Sequence, residues 1–196
     1  MPAQPRRTRT ARPYHHGNLR RVILDAALEE IHEHGPLALS LRGLARRAGV
    51  SHAAPAHHFG DKTGLLTAIA VEGFQLLGDA LRAARETGGF LDVGLAYLRF
   101  AFEHPAHYEV MFRPDLFRRD DPDLVAAQAT TTDLLYGPAA ESHPDADALR
   151  VGIAGWSFVH GFASLWANGN LQHRLGDDPI AAARLVAPAL FTPTRA

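Results

Sequence analysis

With 196 residues, 46% of them apolar and 21% charged, the chain has enough material to bury a core as one large or two small domains. The absence of cysteine excludes a disulfide framework, a thiolate metal site and a cysteine nucleophile, a usage that fits a reducing cytoplasm. The net charge of −1 conceals a split: residues 1–62 carry nine Arg and one Lys against five acids, and the remainder ten basic against sixteen acidic residues. A basic amino-terminal third on an acidic remainder points to a polyanionic partner for the first part alone.

In chain order, MPAQPRRTRTARPYHHGN holds arginines but no apolar h-region, so no secretory signal is expected. Residues 1–16 form a basic arm in which Arg6, Arg7, Arg9 and Arg12 suit either the minor groove of DNA or a solubilising tail. From Asn18, apolar residues at Leu19, Val22, Ile23, Ala26, Ala27 and Ile31 fall on one helix face, and Gly35-Pro36 ends that pattern. Ser40 is a suitable cap for a second helix of about two turns, closed by Gly49. Ser51 is expected to cap a third, in which Pro55 sits early enough to cost little, and Gly60 closes it. Asp61 then caps a fourth helix running to about Thr87.

Helical periodicity resumes after Gly88-Gly89, over 91–103, 106–112, 122–135, 145–167 and 179–191, the last with Asp178 as cap and Pro179 in its first turn. No alternating strand pattern appears, so the chain is expected to be all-α, with about nine helices. The expected division is 1–16 for the arm, 17–62 for a small helical domain and 63–196 for a larger one. Residues 151–173 lack formal charge but are too polar for a membrane span, and read as a buried helix; no membrane association is expected.

Two short helices joined by Ala48-Gly49-Val50-Ser51 make a helix-turn-helix, whose second helix enters the major groove of double-stranded DNA. Small residues at Ala53 and Ala54, beside Ser51 and His52, allow close approach to base edges. Arg42, Arg46, Arg47 and Lys62 lie on neighbouring elements where phosphates pass.

From Asn18 to Leu66 the chain resembles the tetracycline-repressor-like (TetR) family of one-component regulators. The matching runs are LSLRGLARRAGVS, HHF and DKTGLL, covering Leu41, Arg42, Leu44, Ala45, Ala48–Ser51, His58, Phe59, Lys62 and Leu65. The resemblance implies that Phe59 plugs the small domain's core and that His58 and Lys62 lie near the DNA backbone. It departs at Ala56, where the family usually has a phosphate-contacting tyrosine. A weaker similarity lies in GWSFVHGFASLWANG, which looks like the Trp-x-x-x-His-Gly (WHG) signature of one carboxy-terminal subclass, on Trp156, His160 and Gly161.

The expected DNA-binding residues are therefore Arg42, Ser51, His52, Ala53, Ala54, His57, His58 and Lys62. A two-turn reading helix needs a twin about 34 Å away on a palindromic operator, and hence a homodimer. In the late helix, Ala154, Ser157, Gly161, Ser164 and Asn168 form a small-residue stripe suited to a two-fold axis. Val151, Phe158, Val159, Phe162, Leu165 and Trp166 form a bulky one suited to a core. Tyr97, Phe100, Tyr108, Met111, Phe112, Phe117 and Phe162 are candidate walls of a cavity for an apolar or aromatic small-molecule effector. The resemblance implies that this ligand spreads the reading heads, making the protein a repressor.

No catalytic, cofactor or metal site is expected. His57 and His58 are adjacent, and Glu103, His104 and His107 straddle Pro105, so neither set favours an ion. Gly155-Trp156-Ser157 begins like a nucleophile elbow but lacks the second glycine and the preceding strand. A regulator answering to a protein partner is the alternative reading, distinguished by a middle domain without a cavity.

Overall fold

A computed structural model describes residues 19–142 and 147–191; the arm with Arg6, Arg7, Arg9 and Arg12 lies outside these residues. The described residues contain helices and turns but no strand. In order the helices are α1 (Leu19–His34), α2 (Leu41–Arg47), α3 (Ala54–Phe59), α4 (Lys62–Thr87), α5 (Phe90–Glu103), α6 (Pro105–Met111), α7 (Pro122–Ser142), α8 (Ala148–Ala167), α9 (Gln172–Leu175), α10 (Pro179–Val186) and α11 (Pro188–Phe191).

Local chemistry accounts for most of these limits. Ser40 Oγ accepts a hydrogen bond from Gly43 N at 3.2 Å, satisfying an orphan amide at the start of α2. The Asp61 carboxylate does the same for α4 through Gly64 N at 2.7 Å, and Asp178 starts α10 through Ile180 N and Ala181 N. Gly49 and Gly60, at φ of 66° and 77°, hold left-handed conformations that end α2 and α3, where a side chain would be strained.

The start of α3 differs from expectation. Ser51 does not cap it; Ala53 occupies the cap position without a side-chain bond, after a turn in which Ala54 N donates to Ser51 O at 3.0 Å. The proline explains the shift, because Pro55 falls within the first turn, where no intrahelical acceptor awaits an amide proton. Three further limits move. α7 continues past Leu135 to Ser142; a separate turn, α9, follows α8; and the last helix is broken at Ala187 by Pro188. Eleven helical segments among the described residues thus replace about nine.

The buried apolar side chains form one continuous cluster from Ile23 in α1 to Ala183 in α10. At its centre α4 packs against α5, α6 and α7, while its amino-terminal part, with Leu65, Leu66 and Ile69 fully buried, closes the core under α1–α3. The boundary expected at 62/63 therefore lies inside the first turn of an unbroken helix. By length and hydropathy α4 alone among the described residues passes as a membrane span, but 61% of that stretch is buried within the fold, the character of a core helix.

Gly64 makes the α3–α4 junction possible, because a Cβ there would overlap the backbone oxygen of Phe59. Alanine ordinarily stabilises a helix interior by roughly 0.5–1 kcal/mol relative to glycine. Gly64→Ala should instead lower stability in urea unfolding by about 1–3 kcal/mol, the usual cost of overpacking. Gly78→Ala, whose Cβ would rest in ordinary contact at 3.5 Å from Thr131 Oγ1, should be neutral or stabilising.

Candidate functional site

Three surfaces carry the chemistry: the outer face of α3, the outer face of α8 and a cavity beneath them. On α3 and the turn before it, Ser51, His52, Ala53, Ala56 and His57 are exposed, whereas Ala54, Pro55 and Phe59 face inward. Ala54, 7% exposed, is thus a core residue rather than a groove contact, because the turn from Ser51 to Ala53 rotates the helix relative to the expected start. Phe59 fills the small core, with the Arg20 guanidinium 5.2 Å from its ring centre.

The cations around α3 divide in two. Arg42 and Arg46 are exposed, and Lys62 Nζ donates to Leu37 O at 2.9 Å, which holds the ammonium at the α1–α2 turn. Arg47 instead pairs with Glu29, Glu30 and Glu33 of α1, so it braces α1 on α2 rather than waiting for a phosphate. That bond from Arg47 is the main cause holding the Glu33 carboxyl below its ordinary value. The cluster Glu30, Glu33 and His34 offers three metal-type ligand atoms, but with Arg47 on its two acids it reads as an ion-pair network.

On α8, Ala154, Ser157, Ser164 and Asn168 are exposed, and Gly161 is half-buried with no atom within 4 Å of where a Cβ would stand. The expected stripe faces outward. Leu165 joins it at 48% exposure and is not a core residue, and Leu149 and Ile153 extend the same face at 56% and 44%. Leu185 of α10 is 73% exposed. Four large apolar side chains left to solvent around a small-residue stripe are what a helical interface requires.

A cavity of about 450 Å³ lies between α4, α5, α7, α8 and the α6–α7 loop. Of the expected walls, Tyr97, Met111, Phe112 and Phe117 line it. Phe100, Tyr108 and Phe162 do not. Phe100 packs on His104, Phe162 stacks on Trp166 at 5.7 Å, and the Tyr108 hydroxyl turns to His160. The lining is not wholly apolar, since Arg119, Gln128 and Thr132 belong to it.

Behind the cavity, the hydroxyls of Tyr97 and Tyr108 both stand within hydrogen-bond distance of Nδ1 of His160, at 2.9 and 2.8 Å. Burial holds His160 below its ordinary value and pushes both tyrosines up, so all three stay uncharged near neutrality. Phe112 and Trp156 flank the imidazole at 4.7 and 5.9 Å. Trp156 and His160, quoted from the sequence only as family resemblance, are thus structural members of this site.

Comparison with known proteins follows this division. Residues 23–69 match the family described as bacterial regulatory proteins of the tetR family, and residues 90–190 match the tetracyclin repressor-like carboxy-terminal domain. The chain belongs to the TetR family of transcriptional regulators. It is 28% identical to the HTH-type transcriptional regulator BetI of Escherichia coli over 179 residues, covering 83% of this chain and 87% of that one. A Rhodococcus protein of unknown function is 34% identical, covers 91% of this chain and 96% of its own, and superposes with a TM-score of 0.77. The TetR regulator PfmR of Thermus thermophilus shares the fold at a TM-score of 0.66 and 21% identity, over 83% of this chain and 91% of that one.

A TetR-family regulator binds DNA, and regulators of this family form homodimers, answer to small molecules and are not enzymes. In this member two polar links join the small helical set to the large one, the first of them through a loop that lines the cavity, and sequence reasoning missed both. In the α6–α7 loop, between the cavity-lining residues Phe117 and Arg119, Arg118 donates to both oxygens of Asp61 at 2.9 and 2.8 Å. Its amide also donates to Thr67 Oγ1. Asp61 is held below its ordinary value by the Gly64 amide first and by Arg118. The second link runs from Arg21 of α1 to Glu72 of α4 at 2.6 Å and from Glu72 to His107 of α6 at 2.9 Å. Partners 35 to 57 residues apart leave no signal in a single sequence.

These links set the acid stability of the regulator. Burial lowers His107 below the ordinary histidine value of 6.5 despite Glu72, and lowers His160 as well. A depressed histidine favours the neutral folded form, so its contribution is complete above 6.5 and is lost as pH falls through the folded value. Burial raises Glu72, but bonds from Arg21 and His107 outweigh it, so its contribution is lost in a lower window, below 4.5. The melting temperature should hold steady down to about pH 6.5 and then fall. His107→Gln, which keeps a donor for Glu72 without a titrating ring, should flatten the first part of that fall. An unchanged profile in the variant would remove His107 from the account.

Proposed function

We propose that the chain is a homodimeric repressor that binds a palindromic operator through α3 and is released by a small molecule held in the cavity lined by Tyr97, Met111, Phe112 and Phe117. One observation carries the reading: the exposed, small-residue face of Ser51, His52, Ala53 and Ala56 stands between the exposed cations Arg42 and Arg46 and the amino-terminal end of α4 with Lys62. Small side chains let that helix sit deep in a major groove, and the cations meet the phosphates beside it. His57 and His58 lie at the carboxy-terminal end of the helix, towards the backbone. Residues 17–62 serve as the reading head, and residues 63–196 hold the cavity and the dimer face on α8 and α10.

Release follows from the links described above. A ligand that draws Phe117 and Arg119 inward pulls on Arg118 between them, and thereby on Asp61 at the head of α4, immediately after α3. The operator-bound state is lost to the extent that the ligand binds the other state more tightly. A middle domain closed by packing would have favoured control by a protein partner; the 450 Å³ cavity favours a small molecule instead.

The test is a mobility-shift titration on DNA flanking the protein's own gene. Retardation at micromolar protein in low salt that weakens steeply as salt rises is expected; its absence in low salt would sink the proposal. Lys62→Ala should weaken binding to all sequences alike and reduce the salt slope by about one. Changes at His52 or Ala53 should alter sequence preference, so identical effects from both kinds of variant would overturn this sorting of contacts. Gly161→Arg, at a position open within the subunit, should give a folded monomer in sedimentation velocity that no longer retards DNA.

A further inference from the structure

A second cavity, of about 240 Å³, lies between α5, α8, α10 and α11. Its wall includes Val93, Leu98, Phe158, Val159, Ala183 and Pro188 and no charged side chain. Two glycines let its walls pack closely: a Cβ on Gly155 would meet the Phe90 ring at 2.5 Å, and one on Gly94 would meet Val159 Cγ1 at 3.3 Å. This chamber and the larger one share two wall residues, Leu135 and Trp156. They are therefore neighbouring compartments.

Their chemistry is graded. The larger chamber carries its polar groups at the end formed by the α6–α7 loop and α7, where Arg119 and Gln128 stand. Arg119 has no carboxylate within ion-pair distance among the described residues, whereas Arg113 and Arg118 in the same loop pair with Asp115 and Asp61. The Thr131 and Thr132 hydroxyls are already engaged with backbone oxygens of Phe74, Ala127 and Gln128. Among the described residues no acidic side chain lines either chamber. One open cation at a mouth, aromatic rings behind it and an uncharged compartment beyond define a complementary shape.

We propose that the two chambers are one site for an amphipathic carboxylate, with its acid group at Arg119 and Gln128 and an unbranched apolar tail passing between Leu135 and Trp156 into the compartment beside α10. The inference rests on the larger cavity being the effector site. It adds the ligand class and assigns Arg119 as the residue that selects for it. The guanidinium supplies paired donors matched to a carboxylate, and a cationic head is repelled at the same place. Because the tail ends against α8 and α10, a long ligand touches the helices of the dimer face as well as the loop that holds Asp61.

The probes are decanoate, decanol and decyltrimethylammonium, titrated calorimetrically into the full chain, with saturated carboxylates from butanoate to dodecanoate as a length series. Decanoate should bind tightest and the ammonium weakest. Affinity should rise roughly fourfold per methylene until the apolar compartment is full, and then level off. Arg119→Gln should weaken decanoate roughly tenfold or more and leave decanol unchanged. Leu91→Trp, at the 39% exposed rim of the apolar compartment, should cost the longer carboxylates their advantage without affecting butanoate.

Decanol binding as well as decanoate, with no response to Arg119→Gln, would overturn the acid head. A length series without a slope, or one untouched by Leu91→Trp, would overturn the second compartment, and no binding by any probe at low millimolar concentration would overturn both. The underlying effector reading is checked separately. Thr132→Trp, placed at the exposed edge of the larger cavity, should abolish binding of every probe. Undiminished binding in that variant would refute the cavity assignment. Binding with the expected pattern but without release of DNA would leave the ligand class standing and refute the effector role.

Discussion

The carboxylate of Asp61 is the constraint on which the rest of the molecule turns. It accepts the Gly64 amide and so starts the 26-residue helix α4, and it takes both contacts from Arg118, which arrives from a loop 57 residues later. Capping is a local matter worth roughly 1 kcal/mol in most helices. Here the same oxygens tie the reading helix, which ends two residues earlier, to the loop that forms one wall of the large cavity. The α3–α4 junction allows no slack, because Gly64 sits against the Phe59 carbonyl. A displacement of the loop is therefore felt at α3 without passing through a soft segment.

The second link shares this logic but differs in burial. Glu72 is half-buried between an exposed arginine and a buried histidine, so its charge is shielded from water on one side and paired on both. Such a group contributes geometry as much as energy, since an ion pair of this kind roughly balances its desolvation. The chain Arg21–Glu72–His107 fixes how α1 lies on α4 and α6. Together the two links give the small and large helical sets a polar hinge on either side of a common apolar core. The His160 cluster belongs to the same economy of buried polarity: three neutral groups satisfy one another behind the cavity, so the part of its wall formed by Tyr97, Phe112 and Trp156 is aromatic, and its one charge is Arg119.

Opposed demands explain the surface. The outer face of α3 has to be small and bare to approach a nucleic acid, and its cations stand on neighbouring elements rather than on the helix. The outer face of α8 is small for a different reason, to let a second helix come close, and it is ringed by exposed leucine and isoleucine. These exposed apolar groups are the ones that the proposed dimer face would take out of water.

Much of this was legible in the chain itself. Capping chemistry at Ser40, Asp61 and Asp178, the apolar period of α1 and α4, the outward small stripe of α8 and the runs LSLRGLARRAGVS and DKTGLL are local patterns, and local patterns fix helices and family. What the chain could not disclose was decided by contacts between distant residues. A two-residue shift in the start of α3 buried Ala54, and acids on α1 claimed Arg47. Packing on His104, His160 and Trp166 turned Phe100, Tyr108 and Phe162 away from the cavity, while Trp156 and Arg119 joined its wall. The physical reason is the same in each case: helical periodicity specifies which residues share a face, but only packing specifies what that face meets.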